Sequence, residues 1–523
     1  MVYFGHFFNY LKSYLTSMDT EIELKFLVSD TVITHIPGLI TQFGKRITNF
    51  PARNLLNAYF DTPNRELRAL DIGLRTRCCD GECEQTIKLA GEVVGGLHQR
   101  PEYNVALSGN RPDLEAFPAN IWPHGMQISA INQSLYPIFS TNFIRRTWLV
   151  ETENGSEIEV VLDKGEVSAS GQHLGICEVE MELKKGHRSD IFALAKQLIQ
   201  CSEVRLGLYS KAARGYMLAD HKPLKADNYI NYVPLTNDMT QEQALIACLN
   251  YGIRFVQKHE QCYFEDAKFK TLKLMMDGIA LIRHTFWLFE AIVDKQATEH
   301  LRQELKWFLH TFSWVEGAIQ IKTFTSKKHA YYKKISKAPS LNAVIEDIRE
   351  QRPRIASIKA IFQSPRYNNL ILALTTFLVD KSWRTAWSAQ NVQAAELKVI
   401  DIAADLFEKD WQEMQTLLPL ERALTAQDYL AQKNELQRNL LSGACLGSLF
   451  ASTKRDEYRS PWFDIVEGID ELGTLDYLQR LSEQQSDDAL ANIQVWLAQK
   501  TENLVAAMEQ SRQVTLKQTP YWR

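Results

Sequence analysis

The spacing of apolar and polar positions changes once along the chain, near residue 220. Before that point, apolar residues mostly alternate with polar ones in short segments separated by Gly, Asn and Asp, which is typical of antiparallel strands. After a polar connection, apolar residues recur every three or four positions, as they do on one face of a helix. The sequence therefore predicts a β-rich first part and an all-helical second part.

The alternating segments of the first part are predicted strands. They cover residues 21–28, 56–61, 72–79, 83–90, 97–107, 143–151, 157–163, 165–170 and 175–184. The segment 189–201 instead has helical spacing and begins with Ser-Asp, a helix start signal. One antiparallel β-barrel with helices around it, an α+β arrangement, fits this pattern.

The second part begins with a helix start. Thr240 and Gln243 have the spacing of a capping box, and helical periodicity follows them. Long stretches such as 389–417 and 485–511 continue the same period. We therefore predict an all-α bundle for this part of the chain.

These patterns divide the chain into four segments. The barrel domain is expected at 18–220, a linker at 221–239 and the helical domain at 240–523. The aromatic segment 1–17 lacks the basic start and the cleavage site of a secretory signal, and Met18 offers a second translation start. We interpret 1–17 as an extension or a non-native start.

Composition narrows the classes of function. The chain has 523 residues, 45% of them hydrophobic, and a net charge of −4, so no overall basic field indicates a nucleic-acid partner. No apolar run approaches the length of about 20 residues that a membrane span needs. The eight cysteines lack a paired C-x-x-C pattern, which favours free thiols and a cytoplasmic location. A zinc site at Cys78, Cys79 and Cys83 is the alternative.

Two predicted strands carry acidic residues at every second position. Because side chains of a strand alternate between its two faces, these residues share one face of each strand. The acidic residues are Glu21 and Glu23 on the first strand and Glu178, Glu180 and Glu182 on the last, and Lys25 and Lys184 continue the same two faces. A charged outer face of a surface sheet is the alternative interpretation for the first strand alone.

Cationic strands lie between the two acidic ones in the sequence. Arg75 and Arg77 share a face, Lys88 and Arg100 follow, and either Arg145 or the neighbouring Arg146 adds another cation. Burying such charges inside a barrel costs free energy unless they are compensated by opposite charges, by water or by a charged ligand. A phosphate chain with a divalent cation satisfies both signs, because carboxylates bind Mg²⁺ or Mn²⁺ and Arg and Lys bind phosphoryl oxygens.

With these residues, the chain resembles the CYTH superfamily of triphosphate tunnel metalloenzymes, fused to a CHAD domain. The domain order and the segment Ile282-Arg283-His284-Thr285 look like the bacterial inorganic triphosphatase branch. The motifs of the first domain that carry the resemblance are Glu21-Ile22-Glu23-Leu24-Lys25-Phe26, Tyr59-Phe60-Asp61-Thr62-Pro63, Gly73-Leu74-Arg75-Thr76-Arg77, Thr86-Ile87-Lys88, Leu162-Asp163-Lys164-Gly165, Glu178-Val179-Glu180 and Ser210-Lys211-Ala212-Ala213-Arg214-Gly215-Tyr216.

The resemblance implies a role for each charged residue. The expected metal ligands are Glu21, Glu23, Glu178 and Glu180, with Glu182 added on the same face. The expected substrate-binding cations are Lys25, Arg75, Arg77, Lys88, Arg145 and Lys211, with Arg100 and Lys184 as further candidates. Asp163 matches a tunnel carboxylate that orients water, which makes Glu21, Glu23, Asp163 and Glu180 the expected catalytic set. Asp61 and Thr62 are interpreted as turn formers, and Tyr59 and Trp148 as core residues.

For the helical domain, the resemblance suggests polyphosphate as a partner, but the sequence departs from the usual pattern. CHAD domains are known as helical, histidine-bearing modules that bind polyphosphate through basic surfaces. Here Arg283-His284 resembles a retained position, whereas residues 269–276 lack the dense Arg and His run. The locally basic segment 322–359 is interpreted as a solvated helix face, and His259, His284, His310 and His329 as structural residues. A role in stabilising the barrel or in assembly is the alternative.

The predicted function is metal-dependent hydrolysis of inorganic triphosphate to diphosphate and phosphate by water, without a covalent enzyme intermediate. Hydrolysis of thiamine triphosphate or a nucleoside triphosphate, or class IV adenylate cyclase activity, are the enzymatic alternatives. A non-catalytic polyphosphate-binding scaffold is the alternative of another class. The sequence leaves the oligomeric state open.

Overall fold

A computed structural model describes residues 20–79, 81–486 and 489–523 and thus leaves the predicted extension at 1–17 outside the described residues. The described chain forms two compact units. The first contains the residues up to Lys225 together with Lys359–Val379, and the second contains Ala226–Ile358 and Asp380–Arg523. A segment from the helical part of the sequence is therefore integrated with the strands.

The strands of the first unit form a closed antiparallel barrel. Their order is β10-β1-β9-β8-β7-β2-β3-β4-β6-β5, and pairing of β1 with β6 closes the ring. The strands are β1 (Thr20–Val28), β2 (Arg46–Asp61), β3 (Gly73–Cys79), β4 (Glu82–Lys88), β5 (Glu92–Val94), β6 (Leu97–Leu107), β7 (Tyr136–Glu151), β8 (Glu157–Ala169), β9 (Gln172–Lys185) and β10 (Val204–Leu206). The predicted barrel with surrounding helices is confirmed.

The predicted strands differ most from the structure in three places, and the sequence pattern does not predict β5 and β10. The two predicted strands 157–163 and 165–170 form one strand, Glu157–Ala169, which runs through Gly165. Gly165 pairs with Phe143, and a Cβ at Gly165 would lie 2.1 Å from Asn142 O of β7. Strand β2 begins at Arg46 and β7 at Tyr136, both earlier than predicted. The first half of β2 shows no alternation, because its pairing with β7 shifts register between Phe50 and Arg53.

The barrel has its charged side chains inside and its apolar side chains outside. On the outer face of β1, Leu24 and Phe26 are fully buried, as is Val179 on β9. Helices of the first unit cover that apolar surface. They are α1 (Asp30–Ile33), α2 (Ile36–Phe43), α3 (Glu66–Ala69), α4 (Ile128–Ser134), α5 (Arg188–Leu198) and α6 (Lys211–Ala219).

The second unit is helical, as predicted. Before the segment Lys359–Val379, its helices are α7 (Gln241–Glu265), α8 (Phe269–Leu288), α9 (Glu299–Thr311), α10 (Val315–Thr325), α11 (Ala330–Ile335) and α12 (Pro339–Glu350). After that segment, they are α15 (Ala389–Glu396), α16 (Val399–Leu417), α17 (Ala426–Ala431), α18 (Lys433–Leu446), α19 (Ser452–Glu483) and α20 (Leu490–Lys517). Two helices lie between α12 and α15, namely α13 (Ile355–Phe362) and α14 (Pro365–Val379).

Three segments of this unit differ in detail from the sequence pattern. The stretch 389–417 is divided between α15 and α16, where Lys398 forms a β-bridge with Thr240. The stretch 485–511 overlaps α20, and residues 487–488 within it lie outside the described residues. In the segment expected to be a linker, Val233 and Leu235 are buried.

The cysteines differ from the prediction of free thiols at one pair. Cys78 and Cys83 face each other across the β3–β4 hairpin and form a disulfide. The expectation of eight free thiols is therefore wrong for this pair, and the alternative of a zinc site with Cys79 is wrong too. Among the described residues, no helix is long and apolar enough to cross a membrane.

Candidate functional site

Three carboxylates meet inside the barrel where β8 and β9 pair. Asp163 lies opposite Glu178, and Glu180 follows on the same face of β9. One oxygen of each residue lies within 4.8 Å of the others, and Asp163 and Glu178 are fully buried. Oxygen donors at this separation are the ligand set that Mg²⁺ and Mn²⁺ prefer, so the donor chemistry fits a divalent cation.

Lysines from two distant parts of the chain contact this cluster. Lys25 Nζ lies 3.2 Å from Glu178 Oε1, also contacts Glu180, and lies 3.6 Å from Glu23 Oε1. Lys211, the first residue of α6, lies 2.7 Å from Asp163 Oδ2 and 2.8 Å from Glu180 Oε1. Ser210 caps that helix by accepting a hydrogen bond from Ala213 N, which fixes its first turn.

The charge state of the cluster follows from these contacts. Burial by itself would raise the pKa of Glu178 and Glu180, but Lys211 and Lys25 outweigh it and hold the pKa of both below the usual value. Burial is likewise outweighed at Asp163, where Arg145 and Lys211 lower the pKa. The three carboxylates are therefore ionised at neutral pH.

Arg145 faces the cluster and its neighbour Arg146 does not. Arg145 donates to both oxygens of Asp163, at 2.7 and 2.6 Å, and to Glu180 at 3.2 Å. Arg146 is exposed. The alternation of β7 thus places Arg145 inside the barrel.

A second charged group lies where β1, β4 and β6 meet. Lys88 Nζ lies 2.5 Å from Glu21 Oε2 and 3.0 Å from Glu102 Oε2, and Arg75 lies 3.8 Å from Glu102. Burial raises the pKa of Glu21 well above its usual value, and Lys88 only partly offsets that effect. At Glu102, burial is outweighed by Lys88 and Arg75, so the pKa falls. Glu21 and Glu102 therefore hold their protons with very different affinity.

Glu182 and Lys184 lie beside this group at the end of β9. Glu182 pairs with Glu23 of β1, which brings the two acidic strands side by side. Lys184 Nζ lies 2.6 Å from Glu182 Oε2 and 3.7 Å from Glu159 Oε1. Burial raises the pKa of Glu182.

The barrel also contains guanidinium groups with unused donors. Arg77 Nε donates to Asn57 at 2.7 Å, and burial together with Arg75 and Arg145 lowers the pKa of Arg77 to about 9. Among the described residues, several buried guanidinium nitrogens have no hydrogen-bond partner. They are Arg75 Nε, Arg77 Nη2, Arg100 Nε and Arg214 Nε. Buried donors without partners indicate a place for an anion.

The site residues expected from the sequence fall into two groups. Of the five expected metal ligands, Glu178 and Glu180 lie with Asp163 within ligand distance of one another, whereas Glu21 and Glu182 lie in or beside the second charged group.

The sequence argument also missed four charged residues. Glu102 and Glu159 complete the carboxylate rows of β6 and β8, Glu84 lies 3.6 Å from Arg77, and Arg214 donates to Glu178 from α6. Strand alternation could have identified Glu102 and Glu159, because Glu102 lies two positions from Arg100 and Glu159 lies four positions from Asp163, on the same strand faces. Arg214 lies on a helix, where period two gives no signal.

The residues that the sequence analysis interpreted as structural lie in the core or at a turn. Tyr59 stacks on Phe139, and Trp148 is buried. Asp61 does more than form a turn, because it is fully buried and accepts hydrogen bonds from three backbone amides and from Tyr216 Oη. Tyr216 lies on α6, so Asp61 anchors the helix that carries Lys211.

The histidines of the second unit are spread over different environments. His259 Nδ1 lies 2.7 Å from the carbonyl oxygen of Phe255, and His284 Nε2 lies 2.9 Å from Ser442 Oγ. Burial lowers the pKa of His284 to about 3. His310 and His329 are exposed.

Both parts of the chain match known domain families. Residues 19–216 match the CYTH domain, and residues 247–473 match the CHAD domain. The inorganic triphosphatase of Haemophilus influenzae is 34% identical over 248 residues, which span 47% of this chain and 67% of that protein. The chain belongs to the family that joins a CYTH domain to a CHAD domain, and the predicted family and hydrolase class are confirmed.

Two solved structures resemble parts of the chain. A Hippeastrum protein described as an adenylyl cyclase with a dominant triphosphatase activity is 15% identical, covers 39% of this chain and 97% of its own, and has a TM-score of 0.29. The CHAD domain of Ricinus communis is also 15% identical, covers 57% of this chain and 98% of its own, and has a TM-score of 0.40.

Proposed function

We propose that the protein hydrolyses inorganic triphosphate to diphosphate and phosphate inside the barrel, in the domain predicted at 18–220. The observation that supports this most directly is the cluster of Asp163, Glu178 and Glu180, near which four buried guanidinium nitrogens have no hydrogen-bond partner in the described part of the chain. A phosphate chain with a bound divalent cation would satisfy both, because the carboxylates would bind the cation and the guanidinium groups would bind the phosphate oxygens. The relative named an inorganic triphosphatase supports the same substrate.

The proposed cofactor is Mg²⁺ or Mn²⁺. Asp163, Glu178 and Glu180 would hold one ion, and the neighbouring Glu21, Glu23 and Glu182 extend the oxygen donors toward β6. A bound divalent ion would neutralise charge on the phosphate chain. Lys25 and Lys211 already neutralise part of the carboxylate charge and would bind phosphoryl oxygens beside it.

In the proposed reaction, water attacks the terminal phosphorus and forms a new P–O bond, while the P–O bond to the bridging oxygen breaks and diphosphate leaves with that oxygen. The proton that the water loses is released to solvent. Arg75, Arg77 and Arg145 stabilise the charge that develops on the non-bridging and leaving oxygens. In this proposal Asp163, which accepts hydrogen bonds from Arg145, orients the attacking water. Arg100, Lys88 and Lys184 bind the remainder of the chain of phosphates.

The test measures phosphate release from tripolyphosphate, ATP and thiamine triphosphate, each with Mg²⁺, with Mn²⁺ and with a chelator. We expect tripolyphosphate to be preferred at least about tenfold in kcat/KM, which corresponds to about 1.4 kcal/mol of transition-state binding. A preference for ATP or thiamine triphosphate would instead support the organic alternatives. No release from any of them would support the non-catalytic scaffold.

Glu180→Gln tests the metal site, and Glu21→Gln tests the second charged group. Each variant should lose nearly all activity and keep its fold. Glu153→Gln, in the exposed β7–β8 turn, is the matched control and should behave as the wild type. Full turnover of both buried variants at saturating Mg²⁺ would rule out the metal assignment.

For the helical unit we propose polyphosphate binding at the basic segment 322–359. The supporting observation is that Lys322, Lys327, Lys328, Lys333 and Lys337 are exposed above an apolar core that includes Phe324 and Tyr331. Long-chain polyphosphate should bind the wild type more strongly than a variant with three of these lysines changed to Glu. Equal binding would mean that the segment is a solvated helix face without a polyphosphate site.

A cytoplasmic location stays a prediction.

A further inference from the structure

Helix α14 (Pro365–Val379) comes from the second half of the sequence and packs against the barrel. It belongs to the same compact unit as the strands, and it contacts β10, β5 and α5. Its apolar face is buried, including Leu370, Ile371 and Leu374. Two polar side chains on the helix, Asn368 and Thr375, are also buried, at 1% and 0% exposure. They are seven residues apart, so they share one face of the helix.

Asn368 satisfies the free edge of strand β10. Its side-chain amide donates to Val204 O at 2.8 Å, and its Oδ1 accepts from Leu206 N at 3.3 Å. Because β10 pairs with β1 on its other side, these are backbone groups that the ladder leaves unused. Asn368 thereby fixes the position of β10.

Thr375 contacts the turn between β5 and β6. Its Oγ1 donates to Ile371 O at 2.8 Å and lies 3.4 Å from Gly95 O. Gly95 has φ +55°, and a Cβ there would lie 1.7 Å from Thr375 Oγ1, so only glycine permits the approach. Thr375 thereby fixes the position of this turn.

The two segments that α14 holds are the backbone partners of Lys25. Lys25 N donates to Gly96 O at 3.0 Å, and Gly207 N donates to Lys25 O at 2.8 Å. Gly96 follows Gly95, and Gly207 follows Leu206. The backbone of Gly207 also lies against the lysine stem, since a Cβ there would be 2.9 Å from Lys25 Cγ.

We propose that α14 positions Lys25 through Asn368 and Thr375. A helix that lies more than 100 residues after the predicted barrel domain 18–220 thereby determines where Lys25 Nζ contacts Glu178 and Glu180. The inference rests on the proposed function. Asn368 and Thr375 are positioning residues, because they act on the site through β10 and through the β5–β6 turn. Cutting the chain after the predicted barrel domain would remove both contacts.

The kinetic test uses full-length variants. Asn368→Ala and Thr375→Val should each lower kcat for tripolyphosphate with Mg²⁺ about tenfold, because small displacements of a catalytic group are costly. Thr375→Ser, which keeps the hydroxyl, should restore the wild-type rate. The matched controls are Asn369→Ala and Thr376→Val, whose side chains donate to Pro365 O and Leu372 O of their own helix. The controls should keep kcat within about twofold.

Hydrogen exchange at the backbone amides of Gly207 and Lys25 provides a readout that does not need turnover. Both amides should exchange faster in Asn368→Ala and Thr375→Val than in the controls. A lower melting temperature with unchanged kcat and unchanged exchange at these amides would overturn the proposal and leave α14 a structural support. If the wild type fails to hydrolyse tripolyphosphate, the proposed function fails, while the exchange data still decide whether α14 positions Lys25.

Discussion

The Arg145 guanidinium forms two parallel hydrogen bonds with the buried Asp163 carboxylate, at 2.7 and 2.6 Å, across the pairing of β7 with β8. A paired guanidinium and carboxylate of this geometry keeps both charges in fixed positions. The same guanidinium also donates to Glu180, so it bridges two carboxylates of the buried cluster.

Arg145→Gln should therefore lower kcat/KM for tripolyphosphate at least about a hundredfold, the size of effect seen when a buried transition-state donor is removed. It should also lower the free energy of unfolding, because Asp163 would be left buried without its main partner. Arg146→Gln, one position along the same strand, changes an exposed side chain and should leave both quantities close to wild type. Similar losses in the two variants would contradict the placement of Arg145 as the inward residue.

The sequence predicted which side chains of each strand share a face, but it did not predict which strands pair with one another. Period-two alternation identified Glu21, Glu23 and Lys25, because the alternation is a property of the strand itself. It could not show that Glu23 would lie beside Glu182, since pairing across 159 positions depends on the closure of the barrel. Long-range register of this kind has no local signal.

Helix α14 illustrates the same limit. The prediction of an all-helical second part includes residues 365–379, but it says nothing about the surface that this helix covers and gives Asn368 no role. Only the structure shows that its amide meets β10. The disulfide is a similar case, because the partner of Cys78 is set by the hairpin register.

Gly215 on α6 should tolerate no larger side chain. A Cβ at this position would lie 2.1 Å from the Phe139 ring, and the ring is held between Tyr59 and Tyr216. Gly215→Ala should lower the melting temperature and, by shifting Lys211 on the same helix, also lower kcat. Gly38→Ala, in helix α2, meets nothing within 4 Å and should be neutral or stabilising by about 1 kcal/mol. Equal effects of the two changes in thermal unfolding would disagree with the close packing of α6.

The disulfide predicts a specific number of reactive thiols. The chain has eight cysteines, and six are free in the structure. Protein purified without reductant and then denatured should react with a thiol reagent at six positions, and at eight after reduction. A Cys78→Ser/Cys83→Ser variant should give six under both conditions. Eight thiols before reduction would show that the pair is reduced in the purified protein.

Asp410 on α16 should make the stability of the helical unit depend on pH. Burial raises its pKa from 3.8 to about 6, and its side chain is hydrogen-bonded with Ser442. Because the folded state holds this proton more tightly than the unfolded state, stability from this group is greatest below about pH 4 and falls as the pH rises to 6 and above.

Asp410→Asn removes the charge and should therefore stabilise the protein at pH 8 relative to wild type, by up to about 3 kcal/mol, and much less at pH 4. Asp405→Asn, an exposed position on the same helix, is the control and should show no such dependence. Thermal unfolding of the three proteins between pH 4 and pH 8 measures the difference. A stabilisation by Asp410→Asn that stays constant across this range would mean that the carboxyl does not titrate within it.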